Sequence, residues 1–291
     1  MRSIRIGLNF LLMELFKVDD FKKIEKPARP FLRWAGGKKW LLKYLNSILE
    51  INRFNVYHEP FIGGGSVFFN FAPKEAFISD SNRWLIDTYN SIKKEPKEVI
   101  KHLERFSKNK DDYYIIRSKE YSSVTKRSAQ FIYLNQMSFN GIFRVNLSGK
   151  YNVPYGNRSS YNFNTENIMR ASKALQNTII SSTDFTQSVK NVNSGDLIFL
   201  DPPYTITHNT NGFVQYNQKI FSIEDQYKLS EMIDLIKEKG GFYILTNAAH
   251  SKVKEIFEKD DSLIEISRSS VIGGNGAKRG KFSEYIFTNI I

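Results

Sequence analysis

Cysteine is absent from all 291 residues. Without thiols there is no disulfide, no thiolate zinc site and no cysteine nucleophile, and such a chain suits a reducing interior. Acidic residues are the next shortage: 30 Asp and Glu stand against 42 Lys and Arg, leaving a net charge of +12. That surplus draws polyanions and speeds their encounter, although a generally basic soluble protein would share it. Histidine is scarce. His58, His102, His208 and His250 lack ligand spacing, so no metal is expected. Long apolar runs are missing too. Residues 6–13 follow Arg2 and Arg5, but Glu14 stops the run and no small-residue cleavage site follows, so the segment reads as a cytosolic tail. Nowhere do about 18 uninterrupted apolar residues occur, and no membrane span is expected.

What is present suits a folded body: 41% hydrophobic and 14% aromatic residues, enough for a real core without staples. Residues 1–27 read as a tail, with the charged stretch 17–30, closed by Pro27 and Pro30, leading into that body. Short apolar runs at 56–58, 76–79, 178–182 and 197–200 each end in polar residues, with helix-compatible stretches between most of them. This is the signature of an α/β fold with buried parallel strands. A fifth run, 242–246, adds a strand, and 263–267 with 282–287 would close the sheet as a hairpin, making seven strands. The second and third runs lie far apart, which an ordinary βαβ unit does not require. Residues 94–174 are therefore expected to form an inserted domain of helices and a hairpin turning at Ser148-Gly149, and 28–93 with 175–291 the main domain.

In open α/β sheets ligands sit beyond the carboxyl ends of the strands. Phe61-Ile62-Gly63-Gly64-Gly65 falls there, and Asp80, ending the next strand, is placed to accept hydrogen bonds from ribose hydroxyls. The dinucleotide fingerprint fails, because Phe68 stands at its last glycine position. The P-loop fails as well, since Gly36-Gly37-Lys38 is followed by Lys39. A nucleoside without a pyrophosphate fits better; a plain tight turn is the competing reading.

Asp201-Pro202-Pro203-Tyr204 is the sharpest feature. Two prolines fix φ and remove two amide donors, leaving Asp201 and the Pro202 carbonyl as a rigid acceptor pair for an NH2 group, with Tyr204 as a face for a flat ring. An exocyclic amine on adenine is a poor nucleophile because its lone pair is delocalised into the ring. Acceptors pulling on its N–H bonds favour a tetrahedral nitrogen able to attack a methyl held on a sulfonium. Preorganised groups of this kind contribute about 3 to 4 kcal/mol each. A base inside a duplex must first be flipped out and stacked. The bland alternative is a rigid turn with a solvated aspartate.

These residues, in this order, resemble the Dam-type, alpha-class DNA adenine-N6 methyltransferases, over nearly everything from Phe31 onward. Residues 31–38 look like the family's opening motif, 59–65 like its S-adenosylmethionine loop and 201–204 like its catalytic motif. Residues 139–146 and 152–156 are similar to its target-recognition hairpin. The resemblance implies a Rossmann-like class I methyltransferase sheet with Asp201, Pro202 and Tyr204 catalytic. It implies cofactor contacts from Trp34, Lys38, Glu59, Phe61, Gly63, Gly65, Asp80, Asp184 and Phe185. DNA contacts would come from Arg33, Phe139, Asn140, Ile142, Arg144, Asn146 and Pro154, with Arg33 and Arg144 gripping bases and Phe139 and Asn140 wedging at the flipping site. Lys278 and Arg279, in the glycine-rich loop 273–280, would clamp phosphates. Phe139 replaces a Tyr and Arg33 a Lys found in some relatives. Without the resemblance, Trp34 reads equally as core, Arg144 as a solvated charge and Lys278 and Arg279 as a mobile loop.

The expected protein is an S-adenosylmethionine-dependent DNA adenine-N6 methyltransferase acting on double-stranded DNA, within GATC. It would be cytoplasmic, nucleoid-associated and monomeric, alone or beside a cognate restriction endonuclease. Two rivals stand beside this: an RNA-adenine or protein-amide methyltransferase of the same fold, the latter more naturally carrying Asn at position 201, and a non-catalytic DNA-binding protein.

Overall fold

The computed structural model describes residues 26–146, 148–204, 221–269 and 281–291. Five short strands are laid down in parallel: β1 (Tyr57–Glu59), β2 (Ala76–Asp80), β3 (Thr178–Ser182), β4 (Leu197–Leu200) and β5 (Phe242–Ala248). Two longer strands, β6 (Ser262–Ser269) and β7 (Lys281–Thr288), pair antiparallel with each other. The sheet order is β3-β2-β1-β4-β5-β7-β6, so β7 slots antiparallel between β5 and β6. This is the seven-stranded α/β sheet expected from the sequence. The chain works outward from β1 to β3, then returns to start β4 on the other side of β1. The crevice between β1 and β4 is thus the topological switch point, where ligands bind in such sheets.

The central strands are buried, unlike the edge strand β3, where only Thr178 is, and β4 shows why. Its four residues Leu-Ile-Phe-Leu are all buried. Leu197 and Phe199 enter one core, Ile198 and Leu200 the other, because successive side chains alternate across the sheet. A fully buried side chain of this size contributes roughly 1.5–3 kcal/mol relative to exposure. The chain can leave such a strand only into a loop at the sheet edge, which delivers Asp201 there.

The helices carry local start signals. Asn82 caps α3 (Arg83–Lys94) by accepting from the Leu85 amide, and Ser222 forms a reciprocal capping box with Asp225 at the head of α8 (Ile223–Glu238). Between β2 and β3 lie α4 (Pro96–Glu104), α5 (Lys110–Ser118), α6 (Val124–Met137) and α7 (Thr165–Ala174). Tyr113, Phe131, Tyr133 and Leu134 from this stretch share one buried cluster with Leu85 and Tyr89 of α3. The intervening segment is therefore welded to one face of the sheet by continuous apolar packing.

Candidate active site and nucleic-acid interface

After β1 the chain turns through Phe61–Gly65 into α2 (Ser66–Phe71). Gly63 (φ 45°) and Gly65 (φ 70°) both lie in the left-handed region. Space demands glycine as well: a Cβ on Gly63 would fall 2.7 Å from Trp34 Cδ1, and one on Gly65 2.7 Å from the Tyr89 hydroxyl. Asp80, ending β2, binds this loop directly, its Oδ2 accepting from the Gly63 amide at 3.2 Å and its Oδ1 from the Asn82 amide at 2.9 Å. Burial pushes the Asp80 carboxyl up to about 6, against the pull of those two amides. Tyr89 donates to the Gly63 carbonyl at 3.0 Å.

Glu59 lies buried under the same loop and accepts from the Tyr57 hydroxyl at 2.7 Å; burial drives its carboxyl up to about 8. Asp184 caps the short 3-10 helix Phe185–Asn191 after β3, and Phe185 stacks on Phe61 with centroids 5.3 Å apart. Trp34 is half-buried, stacked on Phe143 at 5.7 Å, with its edge against the glycine loop. It is at once packed on the core and a wall of this crevice. Glycine turn, carboxylate and aromatic faces are the donor, acceptor and stacking surfaces an adenosine-type cofactor needs, and no residue among them is out of place for one.

Across the switch point stands Asp201. Its Oδ1 receives the Lys38 ammonium at 2.7 Å and the Thr246 hydroxyl at 2.8 Å. Lys38 is held by the Gly36 carbonyl at 2.9 Å, and its ammonium lies 4.7 Å from the centroid of the Tyr204 ring. The Tyr204 hydroxyl donates to Glu284 Oε2 at 2.6 Å. Burial raises the Asp201 carboxyl, Glu284 adds to the rise, and Lys38 and Thr246 oppose it. Lys38, expected among the cofactor contacts, ends at the carboxylate and the aromatic ring of the Asp-Pro-Pro-Tyr corner. Thr246 and Glu284 were not anticipated. The only sequence signal for Glu284 is a lone acid within the apolar and aromatic run 282–287.

A second group gathers around α6. Asn135, fully buried, accepts from the Arg33 amide at 2.8 Å and donates to the carbonyls of Arg33 at 2.7 Å and Gly141 at 3.2 Å. One side-chain amide thereby fastens the segment bearing Arg33 to the turn Phe139–Gly141. Arg33 is exposed and packs so closely on that turn that a Cβ on Gly141 would lie 2.6 Å from its Cδ. Phe139 is 56% exposed, and Asn140 holds a left-handed backbone (φ 55°), a conformation asparagine tolerates best after glycine. The hairpin beyond is closed by bridges between Ser138 and Tyr155 and between Val145 and Tyr151. The Pro154 carbonyl accepts from the Phe139 amide, the Ile142 carbonyl from the Tyr151 hydroxyl, and the Asn146 side chain from the Ser148 and Lys150 amides. Arg144, exposed, is aimed by Asn152, whose Oδ1 accepts from its Nε at 2.8 Å. Lys278 and Arg279 lie outside the described residues.

No helix among the described residues is long and apolar enough to cross a membrane, and no cluster there could hold a metal ion. His58 instead pairs with Asp196 at 3.0 Å inside the core.

A parallel sheet with an antiparallel β7 inserted between β5 and the edge strand β6, a glycine turn after β1 and an acid at the end of β2 define a class I methyltransferase fold. The chain belongs to the D12 class N6 adenine-specific DNA methyltransferases, whose profile matches residues 34–272. It is 35% identical over 272 residues to the type II methyltransferase M1.LlaDCHI of Lactococcus lactis subsp. cremoris, covering 90% of this chain and 95% of that one. Its identity to the type II methyltransferase M.MjaIII of Methanocaldococcus jannaschii is 33% over 244 residues, 76% of this chain and 84% of that one. Its identity to the DNA adenine methylase of Vibrio cholerae serotype O1 is 29% over 268 residues, 90% and 96% of the two chains. The enzyme is thus a DNA adenine-N6 methyltransferase, a family that generally uses S-adenosylmethionine.

Proposed function

We propose that this protein methylates the N6 amino group of an adenine flipped out of double-stranded DNA, within GATC, with S-adenosylmethionine as donor. The observation that carries the reading is the Asp201 corner beside Tyr204, facing the glycine loop across the switch point. In this reading residues 28–93 and 175–291 form the catalytic domain, and 94–174 the recognition domain that presents Arg33's partner turn and the hairpin. Asp80, Gly63, Gly65, Trp34, Phe61, Phe185 and Asp184 would hold the nucleoside side of the cofactor, which supplies a sulfonium methyl when bound.

Asp201 and the Pro202 carbonyl accept the two amino protons of the extruded adenine, and Tyr204 stacks on its ring. Since Oδ1 of Asp201 is taken by Lys38 and Thr246, Oδ2 is the oxygen left for the amine among the described residues. The N–CH3 bond would form as the methyl–sulfur bond breaks, the donor leaving as the neutral thioether, while the Asp201 carboxylate stabilises the positive charge developing on the nitrogen and the proton shed there passes along that hydrogen bond to solvent. Arg33 and Arg144 read bases, Phe139 and Asn140 fill the space the base leaves, and Ile142, Asn146, Pro154, Lys278 and Arg279 complete the DNA contacts. The surplus of 12 positive charges favours a polyanionic duplex. GATC rests on the likeness of the hairpin to the Dam-type one. The names of the type II relatives favour a companion restriction endonuclease, and a monomer acting on the nucleoid completes the proposal.

Incubating plasmid DNA with the purified protein and cofactor tests this. Nucleases that distinguish methylated from unmethylated GATC should report full modification; unmodified adenine at every site sinks the function, and modification at another sequence sinks GATC alone.

A pH dependence follows from Asp80. Its folded-state carboxyl is raised from 3.8 to about 6, so the stability its protonated form contributes is lost as pH rises through about 6. Ribose hydroxyls donate to the ionised form, so S-adenosylhomocysteine, measured by calorimetry, should bind several-fold tighter as pH rises through about 6. Asp80→Asn should flatten that step; any change near 8 belongs to Glu59. A step that persists in Asp80→Asn would contradict the assignment.

A further inference from the structure

Lys38 is one ammonium facing two carboxylates, Asp201 at 2.7 Å and Glu284 at 3.9 Å. The two acids differ in position. Asp201 lies at the mouth of the crevice, whereas Glu284 is only 3% exposed and sits on β7, opposite Ala248 of β5 and Ile266 of β6. A carboxylate is costly to bury unless its partners are good ones. Here they are the Tyr204 hydroxyl and the Lys38 ammonium, the same two groups that flank Asp201.

The Tyr204 ring is thus held at two places, its face under Lys38 and its para position by Glu284. A hydrogen bond at the para position fixes the direction of a ring that could otherwise swing about its first side-chain torsion, while the ammonium over its face opposes rotation of the plane about the second. Lys38 draws electron density from Asp201, which weakens that carboxylate as an acceptor. A second carboxylate 3.9 Å from the same ammonium offsets this.

We infer that Glu284 is a positioning residue of the methyl-transfer site: it anchors the far end of the Tyr204 ring on which a purine stacks, shares the Lys38 ammonium that covers that ring, and so draws the Lys38 charge away from Asp201. This rests on the catalytic reading of Asp201 and Tyr204 given above. It acts through those residues, without touching the substrate.

The test uses the full chain with Glu284→Gln, Tyr204→Phe and the double variant. Glutamine keeps the size and an acceptor oxygen but not the charge; phenylalanine keeps the ring but not the hydroxyl. Single-turnover methylation of a duplex oligonucleotide should fall roughly tenfold to a hundredfold in each single variant, with the KM for DNA within about threefold. The double variant should be slowed less than the product of the two, because both changes break one link. A duplex carrying 2-aminopurine at the target adenine supplies a second readout. Its fluorescence in the complex should rise in each single variant as stacking on Tyr204 loosens.

Wild-type rates and fluorescence in both single variants would overturn the inference. So would rate losses that multiply in the double variant with fluorescence unchanged, since that pattern marks a general loss of structure. If Glu284→Gln does not fold, Tyr204→Phe alone decides by the same rate and fluorescence criteria. Absence of adenine methylation by the wild-type protein in this assay would instead strike the functional reading itself.

Discussion

Asp201→Ala should lower methyl transfer to duplex DNA by at least about a thousandfold while DNA affinity stays within a few-fold of the wild type. The magnitude follows from the loss of a preorganised group aimed at charge developing on the nitrogen, worth roughly a hundredfold to a thousandfold in comparable sites. To this is added the disturbance of Lys38, whose ammonium would keep, among the described residues, only Glu284, at 3.9 Å, as its carboxylate neighbour. Asp201→Asn separates the two effects. The amide retains an oxygen for Lys38 and Thr246 and so spares the fold, but it is a weaker acceptor toward the amine; a loss of about a hundredfold or more is expected. DNA affinity should survive because Arg33, the turn Phe139–Gly141 and the hairpin are anchored by Asn135 and by backbone bonds that do not involve Asp201. Tritiated methyl incorporation in a single turnover and gel shift with the same oligonucleotide measure both sides. An Asp201→Ala protein that keeps a tenth of its rate would remove Asp201 from the chemistry, and one that no longer binds DNA would show that the corner also holds the interface together.

Arg144→Ala should cost about 1–3 kcal/mol of discrimination, roughly tenfold to a hundredfold in kcat/KM on the preferred site, and relax the requirement at one base pair. The structure supplies the reason for a large effect from an exposed residue. Asn152 receives Nε of Arg144 at 2.8 Å and its own carbonyl lies 3.4 Å from a terminal nitrogen, so the fork is aimed before DNA arrives and less freedom is lost on binding. Lysine should not rescue, because a single ammonium cannot grip a guanine edge at two points. Asn152→Ala should show a weaker form of the same defect, with specificity falling while the fold is kept. Rates on oligonucleotides substituted at each position of the site check this. A loss of equal size on every sequence would make Arg144 a phosphate contact instead.

Much of this architecture can be read along the chain. Strands β3 and β4 fall on the runs 178–182 and 197–200 as expected, but only β4 is the buried strand its run suggested: β3 lies at the sheet edge with Thr178 alone buried and Ile179 57% exposed, because no strand pairs on its outer side. β1 is displaced by one residue, and β5 runs on to Ala248 because its pairing with β7 extends past Thr246 to that residue. The glycine loop, Asp80 and Asp201 are legible for one reason: each follows a strand, and the carboxyl ends of parallel strands share one edge. Trp34 is harder. An aromatic next to a glycine turn reads as core or as crevice wall, and packing makes it both. Glu284 is 80 residues from Tyr204, and nothing local marks it as that ring's partner.

The order of residues alone marked the α/β class, the turn at Gly63 and Gly65 and the acceptor corner at Asp201, since each strand, turn and corner is signalled within a short window, and the resemblance to the adenine-N6 methyltransferases rests on the order of such motifs along the chain. Tertiary structure decided which distant pieces meet. Pairing β4 on β1 sets Asp201 across from the glycine loop, inserting β7 beside β5 carries Glu284 to the hydroxyl of Tyr204, and the buried amide of Asn135 joins Arg33 to Gly141. Such meetings are paid for by burial of whole faces of sheet and helix at once, an energy spread over the entire core that no single stretch of sequence contains.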